Sequence, residues 1–151
     1  MAKPIPEGYH TITMHIVVSP CREAIDWYKK VFGAEELHVM PMPDGKIMHA
    51  ELQIGTSRMM LNDPMMGGKS PKDLGGTNAT VHLYVKDADA IYKKAVDEGA
   101  TVTMEIDDAF WGDRYGMVVD PFGQSWAVAT HKEDVSPEEM GKRAAAMFGG
   151  G

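Results

Sequence analysis

The chain has 151 residues, a formal net charge of −7 and a single cysteine, Cys21. That is one domain's worth of chain, predicted as a single domain over 1–151; the acidic balance argues against a nucleic-acid partner, whose phosphates are met mainly by Lys and Arg. A lone cysteine excludes an internal disulfide, and no run approaches the roughly 20 apolar residues that span a bilayer.

Hydrophobic residues make up 44% and charged residues 25%, as in an ordinary globular protein. Residues 1–9 are polar and proline-containing, without the apolar stretch of a signal peptide. The expectation is a cytoplasmic protein with no membrane segment. In chain order, a strand is predicted over 11–18. Ser19-Pro20 then opens a helix, with serine as N-cap and proline in the first turn. Ile25, Tyr28 and Phe32 recur at helical spacing and Gly33 stops the helix. Strands follow over 36–42, 47–54 and 58–61, the first two joined by Pro43-Asp44-Gly45-Lys46.

Residues 62–78 are polar and rich in Gly, Pro and Lys and read as a linker between the units, long enough to serve also as a flap. Gly67-Gly68-Lys69-Ser70 lacks the strand–helix context of a phosphate loop. Beyond it come a strand over 79–85, a helix capped by Asp87 and closed by Gly99, and strands over 101–105, 115–119 and 125–130. Ser136-Pro137-Glu138-Glu139 has the form of a capping box opening a helix over 136–148, with Met140, Ala144 and Met147 on one face.

The second half repeats the first. Thr13-Met14-His15-Ile16-Val17-Val18 returns as Thr80-Val81-His82-Leu83-Tyr84-Val85, so that His15 and His82 stand 67 residues apart. Ala24-Ile25 and Ala90-Ile91 are followed at equal spacing by Gly33-Ala34 and Gly99-Ala100. The predicted fold is therefore α+β: two β-α-β-β-β modules, 8–63 and 79–131, in a pseudo-twofold arrangement of concave half-barrel sheets, with a linker over 64–78 and a C-terminal helix. The seam between two such copies is a natural ligand cavity, and His15 and His82 would lie at or near it.

Several side chains could carry chemistry there. His49 and Glu51 alternate onto one strand face, as a base with its orienter or as a surface pair. Trp111, Tyr115 and Trp126 could wall a cavity for a flat ligand or could pack a core. Seven of the 13 methionines lie between Met40 and Met66 and, Met60 among them, could line an adaptable apolar pocket or fill core. Asp113 and Arg114 read as an ion pair at a loop. Cys21 sits near a helix N-terminus, where a thiol's pKa can fall.

The two-module pattern resembles the vicinal oxygen chelate superfamily of glyoxalases, extradiol dioxygenases and bleomycin-resistance proteins. Met48-His49-Ala50-Glu51-Leu52, Phe110-Trp111-Gly112-Asp113-Arg114-Tyr115-Gly116, Asp120-Pro121-Phe122-Gly123-Gln124-Ser125-Trp126 and the segment from Ala129 to Met140 are similar to its PhnB-like branch. The resemblance implies a homodimer, with the C-terminal helix as a candidate contact, and a small-molecule ligand. It also implies metal-ligand positions at Thr13 and Thr80 and near Met60 and Ala127, none of them a strong ligand. Two functional readings stand. One is a small-molecule-binding protein acting by sequestration without the standard metal site, with His15, His49, Glu51 and His82 as polar anchors and Met60, Trp111, Tyr115 and Trp126 as walls. The other is a divalent-metal-dependent lyase, isomerase or dioxygenase with a shifted site at His15, His82 and Glu51, a two-histidine, one-carboxylate set. A dimer with a vestigial cavity is a third.

Overall fold

Alternation of apolar and polar residues along its strands gives each copy a sheet with one face for a helix and one face left over. The computed structural model describes residues 1–149. By chain contacts it divides into two units: Met1–Asn78 with Pro121–Gln124, and Ala79–Asp120 with the chain from Ser125 onward. The fold is α+β, with two open four-stranded mixed sheets. Among the described residues no helix is long and apolar enough to cross a membrane.

The first unit runs β1 (Met14–Val17), α1 (Cys21–Phe32), β2 (Glu35–Pro41), β3 (Ile47–Ile54) and β4 (Ser57–Asn62), in the sheet order β1-β4-β3-β2. β1 is parallel to β4, and His15 lies beside Met60. The helix face carries Ile16, Ala50, Leu52, Met59 and Leu61, all buried. Against them α1 presents Ile25, Tyr28, Val31 and Phe32, and Tyr28 stacks on Phe32 with ring centroids 5.9 Å apart.

α1 does not start as predicted. Its N-cap is Pro20, which offers no side-chain acceptor, and Ser19 plays no capping part. The acceptor comes from the far end of the unit. Asp63, buried just past β4, takes the Cys21 N–H on Oδ1 at 2.9 Å and the Ile47 N–H on Oδ2 at 2.7 Å. The linker also holds more order than its composition suggests. α2 (Pro71–Leu74) opens with a complete capping box between Ser70 and Asp73.

The second unit repeats the plan as β5 (Thr80–Tyr84), α3 (Ala88–Asp97), β6 (Thr101–Asp108), β7 (Asp113–Val119) and β8 (Ser125–His131), in the order β5-β8-β7-β6. His82 lies beside Ala127 just as His15 lies beside Met60, so the 67-residue offset is kept in strand register. The cap is repeated at the same offset: Thr130 Oγ1 accepts the Ala88 N–H at 2.9 Å, where Asp63 accepts from Cys21. Asp87 adds the predicted local cap on Ala90.

α4 (Pro137–Phe148) starts at Ser136, whose hydroxyl accepts the Glu139 N–H. Only half of the expected box forms, because the Glu139 carboxylate turns instead to Arg143 at 3.2 Å. No residue of α4 is fully buried, and Met147 and Phe148 are exposed.

Candidate functional site

Each sheet turns a chemically distinct face away from its helix. In the first unit, strand parity brings His15, Met60, Glu51 and His38 into one row across β1, β4, β3 and β2. His15 Nε2 is hydrogen-bonded to Asn62 Oδ1. His49 Nε2 lies 3.4 Å from Glu51 Oε1, so the predicted pair exists, and His38 is its ring neighbour with centroids 6.5 Å apart. Burial is the largest influence on the Glu51 carboxyl and acts upward. Tyr9 and His49, with His38 behind them, overcome it and hold Glu51 below the usual carboxylate range. Tyr9 itself is pushed up to about 12, first by burial and then by Glu51, and so stays a neutral phenol. Among the described residues its buried hydroxyl meets no partner at full hydrogen-bonding geometry, and the Arg58 guanidinium lies 5.2 Å from its ring centre.

In the second unit the corresponding face is aromatic. His82 lies 4.7 Å from Tyr84 and 5.6 Å from Tyr115, centroid to centroid. Trp111 meets Tyr115 edge-on at 5.2 Å, and Phe110 meets Trp111 edge-on at 5.0 Å. Beneath the rings sits Asp113, 2% exposed. Its Oδ2 accepts the Tyr84 hydroxyl and the Trp111 indole N–H, each at 3.0 Å, and its Oδ1 meets His131 Nδ1 at 2.7 Å. The other His131 nitrogen meets Asp134 at 2.8 Å. Burial acts most strongly on Asp113, upward, but the bonds from His131, Tyr84 and Trp111 outweigh it and its carboxyl is held low. Asp134 first, then Asp113, raise the His131 imidazole above its ordinary value.

Backbone geometry sets this hub. Gly112 has φ of +101°, and a Cβ there would collide with the Glu133 carbonyl. Only glycine suits such a position. The Gly112 carbonyl accepts the Lys132 and Glu133 N–H groups at 2.9 and 3.1 Å, fixing the turn that carries Trp111 to the end of β8 that carries His131.

Four placements differ from the sequence reading. Trp126 is fully buried, paired in register with Val118 on the helix side of its sheet, and bonds Asp120 through its indole N–H at 2.8 Å. It is core rather than wall. Asp113 and Arg114 are not a pair: neighbours on a strand point to opposite faces, and Arg114 joins Asp89 at 3.0 Å instead. Cys21 is fully buried, and burial followed by the Asp63 charge pushes its thiol up to about 12. The folded protein is therefore expected to resist a disulfide-exchange reagent such as dithiobisnitrobenzoate until denaturant is added; fast release of one thiolate equivalent under native conditions would contradict this. Finally, Asp113, Tyr84, His131, Tyr9 and Arg58 join the two faces without having been singled out as site residues. For Asp113 and His131, the signal was the 113-to-131 register of two adjacent strands.

The ligand positions implied by the metalloenzyme resemblance do not fit a divalent ion. Thr13 and Thr80 offer hydroxyls, Met60 a thioether and Ala127 a methyl, and the Thr80 hydroxyl is already 3.2 Å from that of Ser125. Protein sites for divalent ions are built mainly from carboxylates for the harder ions and imidazoles for the borderline ones. Among the described residues no group of three or more His, Cys, Asp or Glu side chains is placed to hold a metal ion. His15 is engaged with Asn62, and Glu51 with His49.

Comparison with known proteins agrees with the fold. An uncharacterised protein of Mycobacterium tuberculosis is 46% identical over 134 residues, spanning 85% of this chain and 79% of its own. A Pseudomonas aeruginosa crystal structure superposes with a TM-score of 0.69 at 26% identity, over 82% of this chain and 99% of its own. A PhnB protein of Bacillus cereus does so with a TM-score of 0.60 over 80% of this chain and 99% of its own, and its 16% identity makes that a likeness of fold alone. The sequence matches the Glyoxalase/Bleomycin resistance protein/Dioxygenase superfamily over residues 9–128, most of its length. With the duplicated sheets, their 67-residue register and this match together, the chain belongs to the glyoxalase/bleomycin resistance/dioxygenase superfamily.

Proposed function

We propose that this protein binds a small, partly aromatic molecule on the ring-lined face of the β5–β8 sheet, without a resident metal, and acts by sequestering it in the cytoplasm. The observation that carries this reading is the run of His82, Tyr84, Tyr115 and Trp111 held in ring contact above a buried carboxylate. Flat ligands bury well against such rings, and rings already fixed by hydrogen bonds lose little freedom on binding. On the other sheet His15, His49 and Glu51 offer polar anchors beside Met60. A homodimer belongs to this reading, with α4 and its exposed Met147 and Phe148 as the contact.

The competing reading is a metal-dependent lyase, isomerase or dioxygenase using His15, His82 and Glu51. Two measurements on the purified protein separate them. After growth and dialysis with zinc, nickel, manganese or iron, elemental analysis is expected to find no stoichiometric metal. Bound metal that disappears in His15→Ala and His82→Ala would overturn the metal-free reading. In a thermal-shift screen of flat organic compounds, a ligand at a hundredfold excess over its Kd should stabilise the native state by about 2.7 kcal/mol, a rise of several degrees in Tm. A broad screen with no shift would remove the sequestration reading.

A further inference from the structure

The hydrogen bonds around Asp113 also bear on what kind of flat molecule would suit that face. Tyr84 and Trp111 each have one strong side-chain donor, and both donors are spent on the same carboxylate oxygen. What these two side chains have left for a ligand is their π faces and the Tyr84 oxygen lone pairs. A donor engaged by a carboxylate also leaves its ring richer in electrons, which strengthens the negative quadrupole at the ring face.

The cations nearby are over-matched. His131 is bonded by both Asp113 and Asp134. Arg143, which also donates to the Phe110 carbonyl, is paired with both Glu133 at 2.6 Å and Glu139 at 3.2 Å. Each cation therefore carries two carboxylates, and each group sums to one negative charge. Arg114 of the same strand points to the helix side, where Asp89 holds it. The surroundings of the rings repel an anion, and no unmatched cation among these groups offsets that.

We infer that the Asp113 hub makes this face selective for flat organic cations, such as an N-alkylated heteroaromatic ring, over neutral and anionic rings of the same shape. The inference rests on the binding reading above and names its ligand class. A cation over an electron-rich ring face gains an electrostatic attraction that its neutral isostere lacks.

The test uses three bicyclic probes of one size on the intact protein: N-methylquinolinium, 1-methylnaphthalene and 1-naphthoate, with affinities from calorimetric or NMR titration. The cation is expected to bind about tenfold more tightly than the neutral probe, with the anion weakest. Trp111→Ala should abolish most of the binding. Tyr84→Phe keeps a ring but removes its bond to Asp113, and should weaken the cation several-fold more than it weakens the neutral probe. Asp113→Asn should bring the cation and the neutral probe close to parity. Should Asp113→Asn fail to fold, Tyr84→Phe carries the same comparison. Equal or tighter binding of the neutral or anionic probe overturns the cation preference and leaves the sequestration reading standing. If none of the three binds at millimolar concentration, the cation preference also falls, and the broad screen decides the sequestration reading by itself.

Discussion

Asp63→Ala is expected to lower the free energy of unfolding by about 3 kcal/mol, among the largest effects of any single substitution in this chain. Its two carboxylate oxygens each accept a backbone N–H, from Cys21 and from Ile47. Both of those residues are buried, so no water replaces the lost acceptor. An unsatisfied buried donor costs about 1–3 kcal/mol, and here there are two. One of them belongs to the first turn of α1, which has no cap of its own because Pro20 occupies that position. Asp63→Asn keeps one acceptor oxygen and should cost about half as much. Thr130→Ala removes the equivalent acceptor from α3, but Asp87 still caps Ala90 there, so the loss should be about 1 kcal/mol. Urea unfolding at constant m-value measures all three. An Asp63→Ala protein as stable as its parent would show that the carboxylate does not hold helix and strand together.

These two caps also show how far the sequence can be read. The repeat, the helix and strand types and the equivalence of His15 and His82 were legible because each is local or recurs at a fixed offset. Asp63 was not, although it stands in the same repeat: its partner Cys21 is 42 residues away, and from sequence the position looks like the start of a polar linker. Asp113 was misread for a related reason. Opposite charges side by side suggest a pair, but on an extended strand they face opposite ways, and Asp113 meets a histidine 18 residues on. Trp126 and Trp111 pose a third case. β8 is buried on both faces through its middle, so alternation does not announce which side of it a tryptophan takes. The small Ala127 and Ala129 lie in register with His82 and Tyr84, where they leave room beside the rings, and Trp126, the residue just before Ala127, falls on the helix side.

Asp113→Asn is expected to cost about 2 kcal/mol near pH 6 and, more tellingly, to change how stability depends on pH. Asp113 is held below its ordinary value of 3.8, so its contribution is complete above that value and lost as pH falls through the lowered one. His131 is held above its ordinary 6.5, so its contribution is complete below 6.5 and lost as pH rises through the raised value. The stability drawn from the hub is therefore greatest in mildly acidic solution and declines on both sides. In Asp113→Asn the acid limb from this site disappears. His131 then faces Asp134 alone, so its imidazole titrates at lower pH and the alkaline decline begins earlier. His131→Gln acts on the other limb: it removes the alkaline decline, and Asp113, still buried but with fewer donors, titrates higher and loses its contribution sooner on acidification. Tm measured between pH 3 and 9 for the parent and both variants, with the His131 ring protons followed by NMR, distinguishes these shapes. A constant Tm difference between parent and Asp113→Asn across that range, with an unmoved His131 titration, would mean that the two groups are not coupled. The carboxylate would then be a passive acceptor beneath the rings, and the charge argument for the ligand they favour would lose its basis.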